Sequence, residues 1–317
     1  DLAVTFQDVT VDGGGIVSFE EAVTVNGDLG VSNNAELRKN NDVYVLGDMT
    51  IADGSLYKRL GGQTYLTATG TQLLTIGTTN GAPAASFYYL NFDNGTTANP
   101  KTIVGELDVT GYLIVEADAQ IQDDAATYNH HLNGARIDGT SLLSSPLTLE
   151  GGSFYDEHDH DFSLGPGRVT ISGNCWVDNN ESSDIMRVSG DVEIQSGYLV
   201  LRNTTSLTSD GGDSLTVRNG ARLYIRGADN FPGTFDNFLF ERTSWVRYDE
   251  GIDQTVKGGH TYGYLFVSGS GTTKTADGPI DVDGPNLYLH QCLLDLSSYG
   301  HTIAGHIYNN DDNYQGS

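Results

Sequence analysis

The chain has 317 residues and carries 42 acidic against 16 basic side chains, which gives a net charge of −26. Such a surface repels nucleic acids and anionic lipids, so we expect neither as a partner. It contains no run of about 18 apolar residues that would span a membrane, and its 40 Gly and 17 Tyr with only 2 Met are typical of a β-rich, turn-rich protein.

Two similar segments begin a repetitive pattern near the start of the chain. VNGDLGVSNNAELR at 25–38 and VLGDMTIADGSLYK at 45–58 each contain Gly-Asp, a strand of alternating apolar residues, a small turn and a second strand. The spacing from Gly27 to Gly47 is typical of one solenoid coil. A strand pair of this kind buries its apolar face only when the next coil stacks on it. We expect the corner glycines to adopt positive φ.

Aromatic strands follow, beginning with SFYYLNFDNGTTANPKT at 86–102. If the tyrosines stack on successive coils, they form an outward ladder that binds sugars or packs against another rod. The alternative interpretation is that they fill the core. The tyrosines in predicted strands are Tyr88, Tyr89, Tyr112, Tyr198, Tyr224, Tyr262, Tyr264 and Tyr288.

Asp123 and Asp124 are the first candidates for acid/base chemistry, with His130, His131 and Asp138 downstream. Glycoside hydrolysis uses a pair of carboxyl groups as acid and base or nucleophile. Adjacent residues of a strand point to opposite faces, however. We therefore interpret the doublet as part of a turn and predict no catalytic residue.

The segment SFYDEHDHDF at 153–162 is the most concentrated group of metal-ligating side chains in the sequence. Carboxylates suit Ca²⁺ and imidazoles suit transition ions. Two interpretations stay open: a solvated loop at a coil corner, or a site for Ca²⁺ or another divalent cation. No other cofactor is predicted. The candidate metal ligands are Asp156, Glu157, His158, Asp159, His160 and Asp161.

The Gly-Asp pattern returns at 188–201 and 211–225, and no segment has the apolar spacing of a helix. We predict an all-β, right-handed parallel β-helix (β-solenoid) of about 14–16 coils of roughly 20–22 residues. Residues 1–317 form one continuous solenoid in this prediction, as a fragment of a longer chain or a filament subunit. Cys175 and Cys292 are the only cysteines, and we expect two structural thiols in separate turns.

The last part of the chain, 254–305, resembles a known class of repeat. It is similar to the Gly/Asn/Thr-rich parallel β-helix repeats of large secreted adhesin-like surface proteins of Bacteroidota-type bacteria. The resemblance implies an exported, structural or adhesive protein with no catalytic residues shared across the class. The matching positions are Gln254, Thr255, Gly258, Tyr262, Leu265, Gly271, Lys274, Thr275, Asp295, Leu296, Gly300, Ile303 and Gly305.

These observations lead to a functional prediction. We expect a non-enzymatic, extracellular β-solenoid at the cell surface that serves as a rigid stalk, an adhesin segment or a self-stacking fibre subunit. Its expected partners are further copies joined end to end and cell-surface glycans. The alternative is a carbohydrate-active β-helix, either a polysaccharide lyase or hydrolase or a tailspike-like glycan-binding module.

Overall fold

The structure is a computed structural model that describes residues 4–94, 99–156, 162–177, 185–202 and 206–309. Across these ranges every regular element is a β-strand, and the parallel strands stack in about 13 turns. The predicted all-β solenoid is therefore confirmed. The chain divides into two compact units, unit 1 from Asp1 to Arg168 and unit 2 from Val169 to Ser317.

Unit 1 contains short strands separated by tight turns. Its strands are β1 (Val4–Phe6), β2 (Val9–Val11), β3 (Ile16–Phe19), β4 (Val23–Val25), β5 (Leu29–Val31), β6 (Glu36–Lys39), β7 (Val43–Val45), β8 (Met49–Ile51), β9 (Leu56–Arg59), β10 (Thr64–Leu66), β11 (Gln72–Ile76), β12 (Thr78–Thr79), β13 (Ala82–Pro83), β14 (Ala85–Phe92), β15 (Lys101–Val104), β16 (Asp108–Val115), β17 (Gln120–Asp123), β18 (His130–Leu132), β19 (Ala135–Ile137), β20 (Thr140–Leu142), β21 (Leu147–Tyr155) and β22 (Phe162–Ser163).

These strands form three parallel ladders, one along each side of the coil. The first runs through β1, β4, β7, β10, β14, β16, β19 and β21. The second runs through β2, β5, β8, β11, β15, β17 and β20. The third begins with β3, β6 and β9 and continues along other parts of β14 and β16. Within the described ranges, only the β12–β13 hairpin is antiparallel.

Unit 2 consists of the same type of coil, with longer strands on average. Its strands are β23 (Val169–Val177), β24 (Ile185–Val188), β25 (Val192–Ile194), β26 (Tyr198–Arg202), β27 (Ser206–Ser209), β28 (Ser214–Val217), β29 (Arg222–Arg226), β30 (Asn237–Phe240), β31 (Trp245–Tyr248), β32 (Gln254–Val256), β33 (His260–Tyr262), β34 (Tyr264–Ala276), β35 (Ile280–Val282), β36 (Asn286–Asp295), β37 (Thr302–Ile303) and β38 (His306–Asn309).

Alternation along the strands places the apolar side chains inside. In β4 and β7 the outer two residues are buried and the middle one is partly exposed. Val25 pairs with Val45, and both are fully buried, so one coil covers the core of the next. Coil length varies more than the sequence suggested, because the step from Thr64 to its partner Leu90 is longer than the step from Val25 to Val45.

The Gly-Asp repeat has a packing explanation. The Asp28 N–H donates to Asp8 Oδ1 at 3.0 Å, and the Asp48 N–H donates to Asp28 Oδ1 at 2.8 Å. Each carboxylate therefore holds the backbone of the following coil. A Cβ on Gly47 would lie 2.5 Å from the backbone of Gly27, and neither glycine has positive φ. The expectation of positive φ is wrong at these two corners, where glycine is needed for close approach instead.

Two buried glutamine–lysine pairs satisfy backbone groups inside the coils. In unit 2, Lys274 Nζ donates to the carbonyls of Glu250 (2.7 Å) and Ile252 (2.6 Å) and to Gln254 Oε1 (2.5 Å). The Gln254 amide donates to two further carbonyls, each at 2.8 Å. Burial lowers the pKa of Lys274. We call this arrangement the Gln–Lys clamp.

Unit 1 contains the same clamp. Lys101 Nζ donates to Gln72 Oε1 at 3.1 Å and to the Ala68 carbonyl, and the Gln72 amide donates to the Val45 carbonyl at 2.9 Å. Gln72 pairs with Lys101 in the ladder, as Gln254 does with Lys274. Burial lowers the pKa of Lys101 to about 8. The clamp explains why both glutamine and lysine recur in the repeats.

The prediction that both cysteines lie in turns is wrong. Cys175 lies in β23, where it is fully buried beside Leu199 of the next coil, and burial raises the pKa of its thiol to about 12. Cys292 lies in β36, opposite Thr272. Both cysteines lie in strands because β23 and β36 extend several residues further than the short strands of other coils.

Among the described residues, no helix is long and apolar enough to cross a membrane.

Candidate functional site

The acidic segment lies mostly beyond the part of the chain that can be described. Asp156 is buried, with 1% of its surface exposed, and residues 157–161 lie outside the described residues. Within the described ranges, no group of three or more His, Cys, Asp or Glu side chains is arranged to bind a metal. A cation site at 156–161 stays a prediction, and melting with and without a chelator would test it.

Asp123 and His130 form a buried pair. His130 Nδ1 accepts a hydrogen bond from the Leu107 N–H at 3.1 Å, which places the ring proton on Nε2, 3.4 Å from Asp123 Oδ2. Asp123 also accepts bonds from the Ser144 N–H (2.9 Å), the Ser144 hydroxyl (2.6 Å) and the Ser145 N–H (2.7 Å). The pair therefore anchors the neighbouring coil.

The electrostatics of the pair agree with an anchoring role. Burial opposes the charge on Asp123, yet the hydrogen bonds from Ser144 and Ser145 lower the pKa of the carboxyl to about 2. Burial lowers the pKa of His130, so the imidazole is neutral near pH 7. Both side chains have 1% exposure or less. A substrate in solution has no access to them.

The other acid/base candidates lie in different surroundings. Asp124 accepts a hydrogen bond from the Tyr128 hydroxyl at 2.9 Å. His131 points outward, with Nδ1 at 2.9 Å from Glu150 Oε1. Asp138 contacts Arg136. The structure therefore brings together only Asp123 and His130 from the predicted group.

The predicted tyrosine ladder divides into interior and exterior members. Tyr262 is fully buried, and its hydroxyl donates to the Lys257 carbonyl. Tyr264, on the other side of Gly263, is partly exposed on the outside of β34. The ladder interpretation is therefore wrong for Tyr262, which belongs to the core.

In unit 2 the outer rings stack on one another. The ring centroids of Trp245 and Tyr264 are 4.3 Å apart at 13°, and those of Trp245 and Tyr288 are 5.4 Å apart at 19°. Tyr308 continues the stack at 5.3 Å from Tyr288. We call these four rings the aromatic column. Because neighbouring rings cover one another's faces, the column stabilises the coils and leaves mainly ring edges for a ligand.

Unit 1 has an open aromatic surface instead. Tyr89 and Tyr112 are 6.1 Å apart at 13°, and Tyr112 and Tyr155 are 6.4 Å apart at 70°, so these rings are more widely spaced than the 4.3 Å of Trp245 and Tyr264. Together with Ile114 and Arg136 they line a cleft of about 310 Å³. We call it the tyrosine cleft. Its size is at the lower end of ligand-binding pockets.

A glycine beside the tyrosine cleft determines the position of one ring. A Cβ added to Gly134 would lie 3.0 Å from the Tyr112 ring. The missing side chain therefore lets Tyr112 lie against the backbone of the next coil.

A fixed polar group, the Arg136 guanidinium, lines the cleft together with the rings. Arg136 Nη2 is 2.7 Å from Glu116 Oε2, and Arg136 Nε is 3.0 Å from Asp138 Oδ2. Asn91 Nδ2 donates to Glu116 Oε1 at 3.0 Å. These contacts hold the guanidinium in one orientation. Rings that bind apolar sugar faces, beside charged groups that bind hydroxyls, are the combination that a saccharide site needs.

Sequence reasoning missed the tyrosine cleft. Arg136 pairs with Tyr155 on the adjacent strand, and Thr64 pairs with Leu90 in the same way. The number of residues between the two partners differs from one pair to the other. Only a known register places them together. The aromatic residues at outward positions were the one available signal.

Comparison with known proteins gives no further identification. No protein-family model matches the chain, and neither a curated protein nor a solved structure is significantly similar to it. The resemblance to secreted adhesin-like repeats therefore stays a prediction.

Proposed function

We propose that this chain is a non-enzymatic structural and adhesive β-solenoid of the cell surface that binds glycans in the tyrosine cleft of unit 1. The observation that carries the proposal is the cleft itself, with spaced rings of Tyr89, Tyr112 and Tyr155 around a fixed Arg136. A rigid coil supports the site because the side chains stand on strands rather than on loops.

The use of the acidic side chains supports binding over catalysis. Asp8, Asp28 and Asp48 accept hydrogen bonds from backbone N–H groups of following coils. Asp123 accepts such a bond from Ser144 of the following coil, and His130 accepts one from Leu107 of the preceding coil. These groups serve the fold, so they are not the acid/base pair of a groove.

A glycan array with the purified chain tests the proposal. We expect binding to a defined set of glycans and a loss of about tenfold or more in affinity for Tyr112→Ala, because one ring carries a large share of such a contact. Tyr264→Ala is the matched control, since that ring belongs to the aromatic column. Equal loss in both variants, or no bound glycan, would refute the assignment.

The carbohydrate-active alternative is tested with the same ligands. Glu116 and Asp138 lie beside Arg136, so carboxylates are present at the cleft. Mass spectrometry of a bound oligosaccharide after long incubation distinguishes the two functions. Intact oligosaccharide supports binding alone, whereas shortened or unsaturated products that disappear in Glu116→Gln establish a hydrolase or lyase.

End-to-end association with further copies is a second part of the proposal. A parallel ladder can accept a further strand at its edge, which favours stacking of one solenoid on another. Negative-stain electron microscopy of the purified chain should show filaments. Single particles at all concentrations would contradict it.

A further inference from the structure

A cluster of basic side chains lies on two adjacent strands of unit 1. Arg38 pairs with Lys58, and Lys39 pairs with Arg59, in the register of β6 and β9. The chain has only 16 Lys and Arg and a net charge of −26, so four basic residues at one place form a local positive region. At physiological salt, charges beyond about 8 Å are largely screened, so nearby groups dominate the potential here.

Carboxylates compensate this region only in part. Glu36 contacts Arg38 at 2.5 Å and Lys58 at 3.2 Å. Lys39 turns inward, where its Nζ donates to the Gly61 carbonyl at 3.1 Å. One carboxylate therefore serves two cations, and Arg38, Lys58 and Arg59 all keep part of their surface in contact with solvent.

Arg59 is held by neutral groups. Its guanidinium lies over the Tyr88 ring at 4.1 Å from the ring centroid, and its Nη1 is 3.5 Å from Thr110 Oγ1. Within the described part of the chain, Arg59 forms no ion pair with a carboxylate. A guanidinium fixed in this way keeps donors available for an anion, which it binds through two parallel hydrogen bonds.

Lys58 and Arg59 line a cleft of about 300 Å³ with Tyr57, Ser86 and Thr110. Tyr57 is buried and forms the floor, while the two hydroxyls add hydrogen-bonding groups at the wall. We call it the basic cleft.

The basic cleft adjoins the tyrosine cleft. The Tyr88 ring, over which the Arg59 guanidinium lies, contacts the Tyr89 ring edge to face, with centroids 4.5 Å apart. Tyr89 is also a wall of the tyrosine cleft. One extended ligand can therefore reach both sites.

We propose that the basic cleft binds the anionic group of an acidic saccharide, a carboxylate or a sulfate ester, while neighbouring sugars occupy the tyrosine cleft. The saccharide part of this inference rests on the proposed function, whereas the preference for an anion rests on Lys58 and Arg59 alone. The ligand is thus an anionic glycan, in spite of the negative charge of the whole chain.

Calorimetry with three defined probes tests the inference. The probes are a tetrasaccharide of galacturonic acid, its full methyl ester, and a sulfated tetrasaccharide, each titrated into the full chain. We expect the acid or the sulfated probe to bind about tenfold more tightly than the ester. Raising the salt concentration should reduce this preference. The tighter of the two anions identifies the group that the cleft accepts.

Two variants assign the preference to the cleft. Arg59→Gln should remove the preference for the anion and leave binding of the methyl ester unchanged. Lys58→Gln, at an exposed position, should reduce it without a risk to folding. Arg222→Gln is the control, since Arg222 is an exposed arginine of unit 2 that contacts a neutral hydroxyl, that of Tyr224 at 3.3 Å. It should change neither affinity.

The outcomes separate the two proposals. Equal affinity for the acid, the ester and the sulfated probe, with binding abolished by Tyr112→Ala, overturns the basic cleft and keeps the tyrosine cleft. A preference that survives both Arg59→Gln and Lys58→Gln also overturns the basic cleft. Anion binding that is lost in Arg59→Gln but unchanged in Tyr112→Ala supports the basic cleft and refutes the tyrosine cleft. No binding of any probe refutes the basic cleft, and the glycan array then decides on the tyrosine cleft separately.

Discussion

Replacing Lys274 by methionine tests the energetic role of the Gln–Lys clamp. The side chain is fully buried, and its ammonium donates to the carbonyls of Glu250 and Ile252 and to Gln254 Oε1. Methionine fills nearly the same volume without any donor, so Lys274→Met leaves one buried acceptor, Gln254 Oε1, and two partly buried carbonyls without this partner.

The expected magnitude follows from two opposing effects. A buried acceptor that loses its partner costs about 1–3 kcal/mol, and a partly buried one costs less because water replaces the lost donor. Removing a buried ammonium returns part of this, because burial already disfavours its charge and lowers its pKa. We expect a net loss of about 2–4 kcal/mol in the free energy of unfolding. For a unit of this size that corresponds to a fall of about 5–15 °C in Tm.

Tryptophan fluorescence can be used to measure this loss of stability. The chain's two tryptophans, Trp176 and Trp245, both lie in unit 2, so tryptophan fluorescence during urea or thermal denaturation follows the unit that contains Lys274. The matched control is Lys257→Met, which removes a partly exposed lysine that pairs with Asp277 at 2.8 Å. A surface pair of this kind contributes about 0–1 kcal/mol.

Equal stability of the two variants would contradict this account of the clamp. The clamp would then be a consequence of packing rather than a source of stability. Lys101→Met, at the equivalent position of unit 1, should reproduce the destabilisation of Lys274→Met in hydrogen exchange of the amides around Gln72. Agreement between the two copies would assign the effect to the clamp and not to one local environment.

Three further predictions concern the described residues. Because burial lowers the folded-state pKa of His130, its contribution to stability is present above its unfolded pKa of about 6.5 and is lost as the pH falls below that value. The contribution of Asp123, whose pKa is lowered to about 2, is present above its unfolded pKa of about 3.9 and is lost as the pH falls towards 2. His130→Asn, which keeps an acceptor for the Leu107 N–H, should therefore make urea unfolding less pH-dependent between about pH 7 and 5, and an unchanged slope would contradict this. Gly47→Ala should cost about 1–3 kcal/mol because its Cβ has no space, whereas Gly15→Ala, where nothing lies within 4 Å, should be close to neutral in the same melt. Tyr264→Ala should lower Tm through loss of ring stacking, about 1–3 kcal/mol, and an unaltered Tm would show that the aromatic column does not stabilise unit 2.

The class of fold could be predicted from the sequence alone. Strand alternation and the Gly-Asp spacing are local features, and each coil repeats the same physical problem of covering an apolar face. Gly27 and Gly47 mark two such coils, and their strands β4 and β7 pair in register. A repeated local pattern therefore sufficed for an all-β solenoid.

Where individual side chains point, and what they contact, became clear only from the tertiary structure. Tyr262 and Tyr264 flank Gly263, and strict alternation would place them on one face. A corner at Gly263 separates β33 from β34 and puts one ring in the core and the other outside. The tyrosine cleft likewise depends on coils of unequal length, which bring Arg136 opposite Tyr155. The register between two coils depends on the lengths of all the strands and turns that separate them in the chain. No local pattern in the sequence gives that total length.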